Sequence, residues 1–149
     1  LLALVLAGNL AALDLLAQAL LEGRPALDGR ALLRSAVVIW LWNIVAFALV
    51  YWELDRGGPQ RRAGADGGPP DFLFPQMTLD ADQRAAFVPA GWRPRFVDYL
   101  YVSATNTTAF SPTDTLPLSR RAKLLMLAQS LVALVAIALV AARAVNVLR

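Results

Sequence analysis

Residues 96–121 read FVDYLYVSATNTTAFSPTDTLPLSRR, and the interpretation of the whole chain depends on this stretch. Its start is apolar and aromatic, its middle is rich in Ser, Thr and Asn, and Pro112 and Pro117 interrupt it. The apolar part is too short to cross a bilayer, which requires about 20 residues in a helix. A short helix followed by a polar turn is stable at membrane depth only where it lines water or is covered by protein. We therefore expect this stretch to enter the membrane and return.

The composition is that of a membrane protein. Of the 149 residues, 58% are hydrophobic and 17% are charged, against about 25% charged in ordinary soluble domains. Cysteine and histidine do not occur, which excludes disulfides, the usual zinc ligands and imidazole catalysis, and we expect no cofactor. The net charge of +3 comes without a basic run that contains aromatics, so nucleic-acid binding is not expected.

Three apolar segments, residues 1–21, 35–52 and 124–142, are long enough to be predicted as membrane-spanning helices. The predicted fold class is therefore all-α integral membrane, with three spanning helices plus a re-entrant helix and loop. Residues 1–34 form a peripheral membrane helix and a short linker, whose three arginines favour the cytoplasmic side. Because the sequence begins inside an apolar run without a charged segment before it, we expect it to be part of a longer protein.

Polar residues inside the predicted spans are candidates for function. Asp14 is interpreted either as an ion- or proton-linked carboxylate or as a group satisfied by contact with another helix, and the sequence favours the contact. Asn43 is predicted to form a hydrogen bond between helices. Gln129 and Ser130 are the interior polar groups of the last span.

Residues 53–95 are predicted to form an extracellular loop between the second span and the re-entrant stretch. The run GGPQRRAGADGGPP predicts an irregular first half, and the acidic residues lack the spacing of a calcium loop. We expect the FLF run at residues 72–74, Phe87 and Trp92 to rest on the membrane surface or on neighbouring protein.

Pro94 suits the first helical turn, and a helix of about a dozen residues is predicted from Phe96. The two later prolines prevent its continuation. If residues 96–110 instead cross the membrane completely, the last span inverts, and this alternative stays open.

The order of span, extended loop, short helix, Thr-rich turn, Asp, Pro and span resembles the pore-loop cation channels. The local match is to the potassium-channel family, whose pore helix ends in Thr-Thr before Val-Gly-Tyr-Gly-Asp and a Pro. Thr107 and Thr108 match the Thr-Thr, Asp114 lies near the position of the Asp, and Pro117 matches the Pro. The chain is also similar to uncharacterised bacterial membrane proteins that share an NTTAFSPTD-type turn.

This resemblance implies a pore module in residues 35–149, with an outer helix (35–52), a pore helix and filter-like turn (96–118) and an inner helix (119–149). It places the ion path at Thr107, Thr108, Ala109, Phe110, Ser111, Pro112, Thr113 and Asp114. It further implies a homo-oligomer, a tetramer by analogy, that passes monovalent or divalent cations. The expected location is the bacterial inner membrane, with the C-terminus in the cytoplasm.

One departure from the potassium family bears on selectivity. Between Thr108 and Asp114 the chain has Ala-Phe-Ser-Pro-Thr instead of Val-Gly-Tyr-Gly, and no glycine follows Gly91. Potassium filters stack backbone carbonyls in conformations that glycine permits and other residues resist. We therefore expect a cation channel subunit without the usual potassium selectivity.

Two other classes of function are weighed against the channel. The first is a non-conducting membrane sensor or assembly protein on the same scaffold. The second is an integral-membrane enzyme, for which Ser119 with Lys123 is the one pair of suitable spacing. That pair is better explained as a cap and an anchor of the last span, so no enzyme is expected.

Overall fold

The computed structural model describes residues 29–64, 67–109, 111 and 114–147, together with positions 7, 8, 11, 14, 15 and 18. Most of this chain is helical, as predicted. The helices are α1 (Gly29–Leu54), α2 (Pro59–Ala63), α3 (Ala81–Phe87), α4 (Phe96–Ala109) and α5 (Arg120–Val147). Two 3₁₀ turns (Asp55–Gly57 and Pro75–Met77) and one antiparallel pair of short strands, β1 (Phe72–Leu73) and β2 (Leu116–Pro117), complete the described part.

Helices α1 and α5 are long and apolar enough to cross a membrane. The qualifying segments are Arg34–Gly57 and Arg120–Ala138, with mean hydropathies of 1.8 and 1.7. Both helices leave large apolar side chains exposed, among them Val38, Leu41, Leu124 and Leu131, as surfaces facing lipid or another protein do. The predicted first span, residues 1–21, lies outside the described residues apart from a few helical positions.

Helix α4 packs against both α1 and α5 and is much shorter than either. It begins level with the C-terminal end of α1, where the Phe96 and Trp52 rings meet with centroids 5.8 Å apart. Two turns later, the Ser103 hydroxyl donates to the Ile44 carbonyl oxygen at 2.7 Å. A helix of 14 residues is about 21 Å long, which is less than the roughly 30 Å of a bilayer core. The short helix predicted from Phe96 is confirmed.

After α4 the chain comes back to the end of α1 from which it started. Strand β2 pairs with β1, and the Leu118 N–H donates to the Asp71 carbonyl oxygen at 2.8 Å. The Asp71 N–H in turn donates to Asp55 Oδ1 at 2.7 Å, directly after α1. Residues 96–119 therefore begin and finish beside the same end of α1.

Residues 53–95 form a folded cap on the C-terminal end of α1. The first half of this region, which the sequence predicted to be irregular, is partly ordered. A left-handed turn ends α1, with φ of 53° at Arg56, 74° at Gly57 and 100° at Gly58. Helix α2 then begins at Pro59, whose fixed φ suits a first helical position.

Phe72 and Phe74 of the cap pack inward instead of resting on a membrane surface, whereas Phe87 is 77% exposed. Phe72 is fully buried and Phe74 is 3% exposed. The Phe72 ring lies 5.2 Å from that of Tyr51, and the Phe74 ring lies 5.3 Å from that of Tyr99. Burial in a core removes more aromatic surface from water than a surface position does, which explains the difference from the prediction. The core cluster comprises Phe47, Tyr51, Phe72, Phe74, Tyr99, Val102, Ala122 and Met126.

Candidate functional site

The polar half of α4 meets α1 and α5 in a buried group of side chains around Gln129. Gln129 Nε2 donates to Ser103 Oγ at 2.6 Å and to Thr107 Oγ1 at 2.8 Å. Its Oε1 accepts from the Tyr51 hydroxyl at 2.5 Å and from Asn106 Nδ2 at 2.9 Å. We call these residues, Tyr51, Ser103, Asn106, Thr107 and Gln129, the Gln129 cluster. All five are at most 2% exposed.

Helical spacing brings these side chains together. Ser103, Asn106 and Thr107 follow the i, i+3, i+4 pattern that places residues on one face of a helix. Asn106 also donates to the Met126 carbonyl oxygen at 3.0 Å, while Ser103 reaches the backbone of α1 at Ile44. Hydrogen bonds of the cluster thus join α4 to both long helices. A buried polar group whose members are all hydrogen-bonded favours one rigid arrangement.

The two threonines that end the predicted pore helix differ in environment. Thr107 is fully buried, and its hydroxyl oxygen accepts from Gln129 inside the chain. Thr108 is exposed, and its hydroxyl donates back to the Ala104 carbonyl oxygen at 2.9 Å. A hydroxyl oxygen that donates once keeps its capacity to accept. Thr108 can therefore present an oxygen outward, whereas Thr107 uses its oxygen within the chain.

The remaining predicted ion-path residues are the last residue of α4, Ala109, and the residues after it. Ala109, Ser111 and Asp114 are exposed. Asp114 Oδ1 accepts from the hydroxyl of the buried Thr115 at 3.3 Å. Phe110, Pro112 and Thr113 lie outside the described residues.

The predicted intramembrane polar residues also differ in burial and in hydrogen-bond partners. Gln129 is the centre of the cluster, and the Ser130 hydroxyl joins it by donating to Asn106 Oδ1 at 3.2 Å. Asn43 is buried in α1, beside the Ile44 that accepts from α4. Asp14 is exposed and accepts from Gln18 Nε2 at 2.8 Å, one helical turn later. The i, i+4 spacing of Asp14 and Gln18 is the signal that would have identified this pair from the sequence.

A second buried group, which sequence analysis did not identify, joins the cap to the first turns of α4. Asp55 Oδ2 accepts from the Tyr99 hydroxyl at 2.6 Å, and both residues are fully buried. Arg62 Nη1 donates to the carbonyl oxygens of Trp52 at 2.5 Å and Asp55 at 2.7 Å, which caps the C-terminal end of α1. The same guanidinium lies 5.1 Å from the centroid of the Tyr99 ring.

The electrostatics of this second group keep its phenol protonated. Burial, followed by the hydrogen bond to the Asp55 carboxylate, raises the pKa of Tyr99 well above its ordinary value of 10.0. Tyr99 therefore retains its proton at neutral pH and continues to donate to Asp55. The contact fixes the first turns of α4 to the end of α1.

The Gln129 cluster lacks the charged side chains of a metal or acid–base site. The Gln129 cluster consists of uncharged side chains, and the described residues contain no group of three or more His, Cys, Asp or Glu that could hold a metal ion. Ser119 accepts with its hydroxyl from the Ala122 N–H at 3.1 Å, so its predicted role as a cap of the last helix is confirmed. Neither a family model, nor a curated protein, nor a solved structure matches this chain.

Proposed function

We propose that this chain is a subunit of a pore-loop cation channel, in which α1 is the outer helix, α4 the pore helix and α5 the inner helix. The observation that carries the proposal is the path of residues 96–119, which start and finish beside the same end of α1. Between these points α4 extends as far as Ile44, about ten residues back along α1. In a bilayer crossed by α1 and α5, such a segment is re-entrant and has to be covered by protein or line water.

The proposed arrangement in the membrane combines this path with the spans and the orientation expected from the sequence. Residues 1–21 add a third, peripheral span, the cap faces the outside, and the C-terminus lies in the cytoplasm of a bacterial cell. One chain of this size supplies only part of the wall of a pore, so a homo-oligomer is required, and the resemblance suggests four subunits. The apolar side chains that α1 and α5 leave exposed would contact lipid and neighbouring subunits.

Thr108 rather than Thr107 borders the ion path in this proposal. Its exposed hydroxyl lies in the last turn of α4, where the helix dipole concentrates partial negative charge. Ser111 would add a further neutral oxygen. A ring of exposed Asp114 carboxylates, one from each subunit, would attract cations to the mouth of the pore.

Reconstitution of the purified protein into planar bilayers, with substitution of the permeant ion, tests the proposal. We expect a cation current from the wild type and altered permeability ratios after Thr108→Ala. Asp114→Asn should lower the current about threefold at low ionic strength and less at high ionic strength, because salt screens exposed charges. Thr78→Ala and Asp82→Asn are matched controls in the cap, and both should leave the current unchanged.

Absence of current from intact protein would contradict a channel, as would a monomer or a dimer without a central axis. These outcomes would favour the alternative, a non-conducting sensor or assembly protein on the same scaffold. The specific observation in favour of that alternative is Thr107, whose hydroxyl is used inside the chain in a turn without glycine. Thr108→Ala and Asp114→Asn currents that match those of the wild type would show that these residues do not border the path.

A further inference from the structure

A pocket of about 440 Å³ lies between the cap and the first turn of α4. Four arginines, Arg56, Arg62, Arg93 and Arg95, contribute to its wall together with the rings of Trp52 and Phe96. No carboxylate of the described residues belongs to the wall. This wall of basic and aromatic side chains is unlike the Gln129 cluster, and none of its residues belongs to the proposed ion path.

The fold positions two of these arginines through the backbone. Arg62 is held by the carbonyl oxygens that it caps at the end of α1. Arg93 Nη1 donates to the carbonyl oxygens of Arg62 and Ala63, at 3.2 Å each. Arg62 Nη2 and Arg56 Nε are buried without a hydrogen-bond partner. A buried donor of this kind is unfavourable until an acceptor is supplied.

Three carboxylates close in sequence to wall residues, Asp55, Asp71 and Asp98, have other partners. Asp55 accepts from the Tyr99 hydroxyl and the Asp71 N–H, while Asp71 Oδ2 accepts from the Arg56 N–H at 3.1 Å. Asp98 Oδ2 accepts from the Arg95 N–H at 2.6 Å in the first turn of α4. The N-terminal end of α4, which reaches the wall through Phe96, adds the positive end of a helix dipole. The wall of the pocket therefore carries an excess of positive charge, and two of its arginines have a donor without a partner.

We propose that this pocket binds a phosphate group, either that of an anionic phospholipid or free phosphate. Guanidinium groups bind phosphate oxygens in pairs, and two of the arginines here have donors to spare. Trp52 and Phe96 give the apolar wall that the glycerol and first methylenes of a lipid would cover. The pocket also lies where the apolar segment of α1 ends, which is the headgroup level of a membrane that α1 crosses. The site does not depend on conduction, since a non-conducting chain would retain it.

Native mass spectrometry of the full chain in detergent, with phosphatidylglycerol and phosphatidylcholine of equal acyl length, tests the site. We expect the wild type to retain phosphatidylglycerol preferentially. Arg93→Gln and Arg95→Gln should each weaken this binding about fivefold, equivalent to about 1 kcal/mol for each arginine near an anionic surface. Arg84→Gln, an exposed arginine of α3 outside the pocket, is the matched control and should bind like the wild type.

The two sources of phosphate are distinguished by a melting experiment in sodium phosphate and in sodium chloride of equal ionic strength. Stabilisation by phosphate, with displacement of phosphatidylglycerol, would assign the site to free phosphate; lipid binding without that response would assign it to the headgroup. Both results support the proposal. Equal retention of the two lipids without a phosphate effect would overturn it, as would an unchanged lipid preference in the folded Arg93→Gln/Arg95→Gln double variant.

A carboxylate of the chain itself would compete with phosphate for the arginines of the pocket, and this possibility requires a separate variant. Asp66 lies in the sequence between the wall residues Gly64 and Gly67, but outside the described residues. We expect Asp66→Asn to bind phosphatidylglycerol within about twofold of the wild type, a change small beside that expected for removing one arginine. Binding by Asp66→Asn alone, with none by the wild type, would mean that the chain supplies its own anion and would overturn the proposal.

Discussion

At the scale of single residues, Gln129 is the side chain on which the position of α4 depends most. A glutamine amide has two donor hydrogens and one oxygen with two lone pairs, and the cluster provides a partner for each. A residue of similar size without the amide would leave the Tyr51 hydroxyl without the oxygen to which it donates. Buried polar groups that lose a partner cost more than the lost hydrogen bond itself.

We therefore predict that Gln129→Leu lowers the free energy of unfolding by about 1–3 kcal/mol, as expected for a buried polar group that leaves partners unsatisfied. Ser130→Ala removes one longer hydrogen bond at the margin of the cluster and should cost less than about 1 kcal/mol. Thermal and denaturant unfolding in detergent, followed by circular dichroism, measures both. Equal losses for the two variants would contradict a central role for Gln129.

The sequence identified Gln129 and Thr107 but assigned them to different roles. Each is noticeable by itself, as a polar residue in an apolar run or at the end of a Thr-rich helix. Their hydrogen bond depends on the rotation of α4 about its axis, which the alternation of small and polar residues in residues 103–108 leaves undetermined. The pair Asp55 and Tyr99 was missed for a related reason, since 44 positions separate its members.

At the scale of elements, the main finding is that the region between the two long helices is folded. Its Phe72 and Phe74 meet Tyr51 of α1 and Tyr99 of α4 in the core, so the cap holds the first turns of the short helix. Strands β1 and β2 fasten the returning chain to the same place. The cap thus supports both the entry and the exit of residues 96–119.

We predict that Phe72→Ala, which empties a fully buried position in this core, lowers the free energy of unfolding by about 3–5 kcal/mol. Cleavage by trypsin at Arg61 and Arg62 should become faster, because the cap opens more often. The control is Phe87→Ala, since the Phe87 ring is 77% exposed and its loss should change stability by less than about 0.5 kcal/mol. Similar unfolding curves for the two variants would argue against the cap as part of the core.

The elements were predicted from the sequence with uneven success. Helix α4 begins at Phe96, so Pro94 precedes the helix and does not occupy its first position as predicted, while Pro112 follows the helix in the sequence, as a proline that prevents continuation should. Inside the cap, the frequent Gly and Pro residues predicted an irregular chain, so its short helices and its strand were not predicted. Helix α3 was not predicted, although its start has a recognisable pattern: Asp80 lies three residues before Gln83 and accepts from the Gln83 N–H at 2.8 Å.

At the scale of the whole molecule, the structure places the parts of the chain at different heights along the two long helices. The cap and both ends of residues 96–119 lie at the C-terminal end of α1. Helix α5 begins at this end and leads away from it for 28 residues. If α1 and α5 cross a membrane, residues 68 and 118 are then on one side and the C-terminus on the other.

Cysteine labelling tests this arrangement without background, since the chain has no native cysteine. We predict that a membrane-impermeant thiol reagent, applied to sealed cells, labels Gly68→Cys and Leu118→Cys equally, because both positions are exposed at the same end. A cysteine added after Arg149 should be labelled only after the membrane is opened. Labelling of residues 68 and 118 from opposite sides would mean that residues 96–110 cross completely.

The neutrality of the Gln129 cluster has a consequence for control by membrane voltage. An electric field does work only on charge, about 2.3 kcal/mol for each elementary charge moved across 100 mV. Tyr51, Ser103, Asn106, Thr107 and Gln129 carry none at neutral pH, so a change of potential leaves their hydrogen bonds without a direct electrical force. The other end of α4 is fixed by the carboxylate of Asp55 beside the guanidinium of Arg62. A voltage stimulus would therefore act on α4 through its first turns, at the end away from the Thr-rich turn.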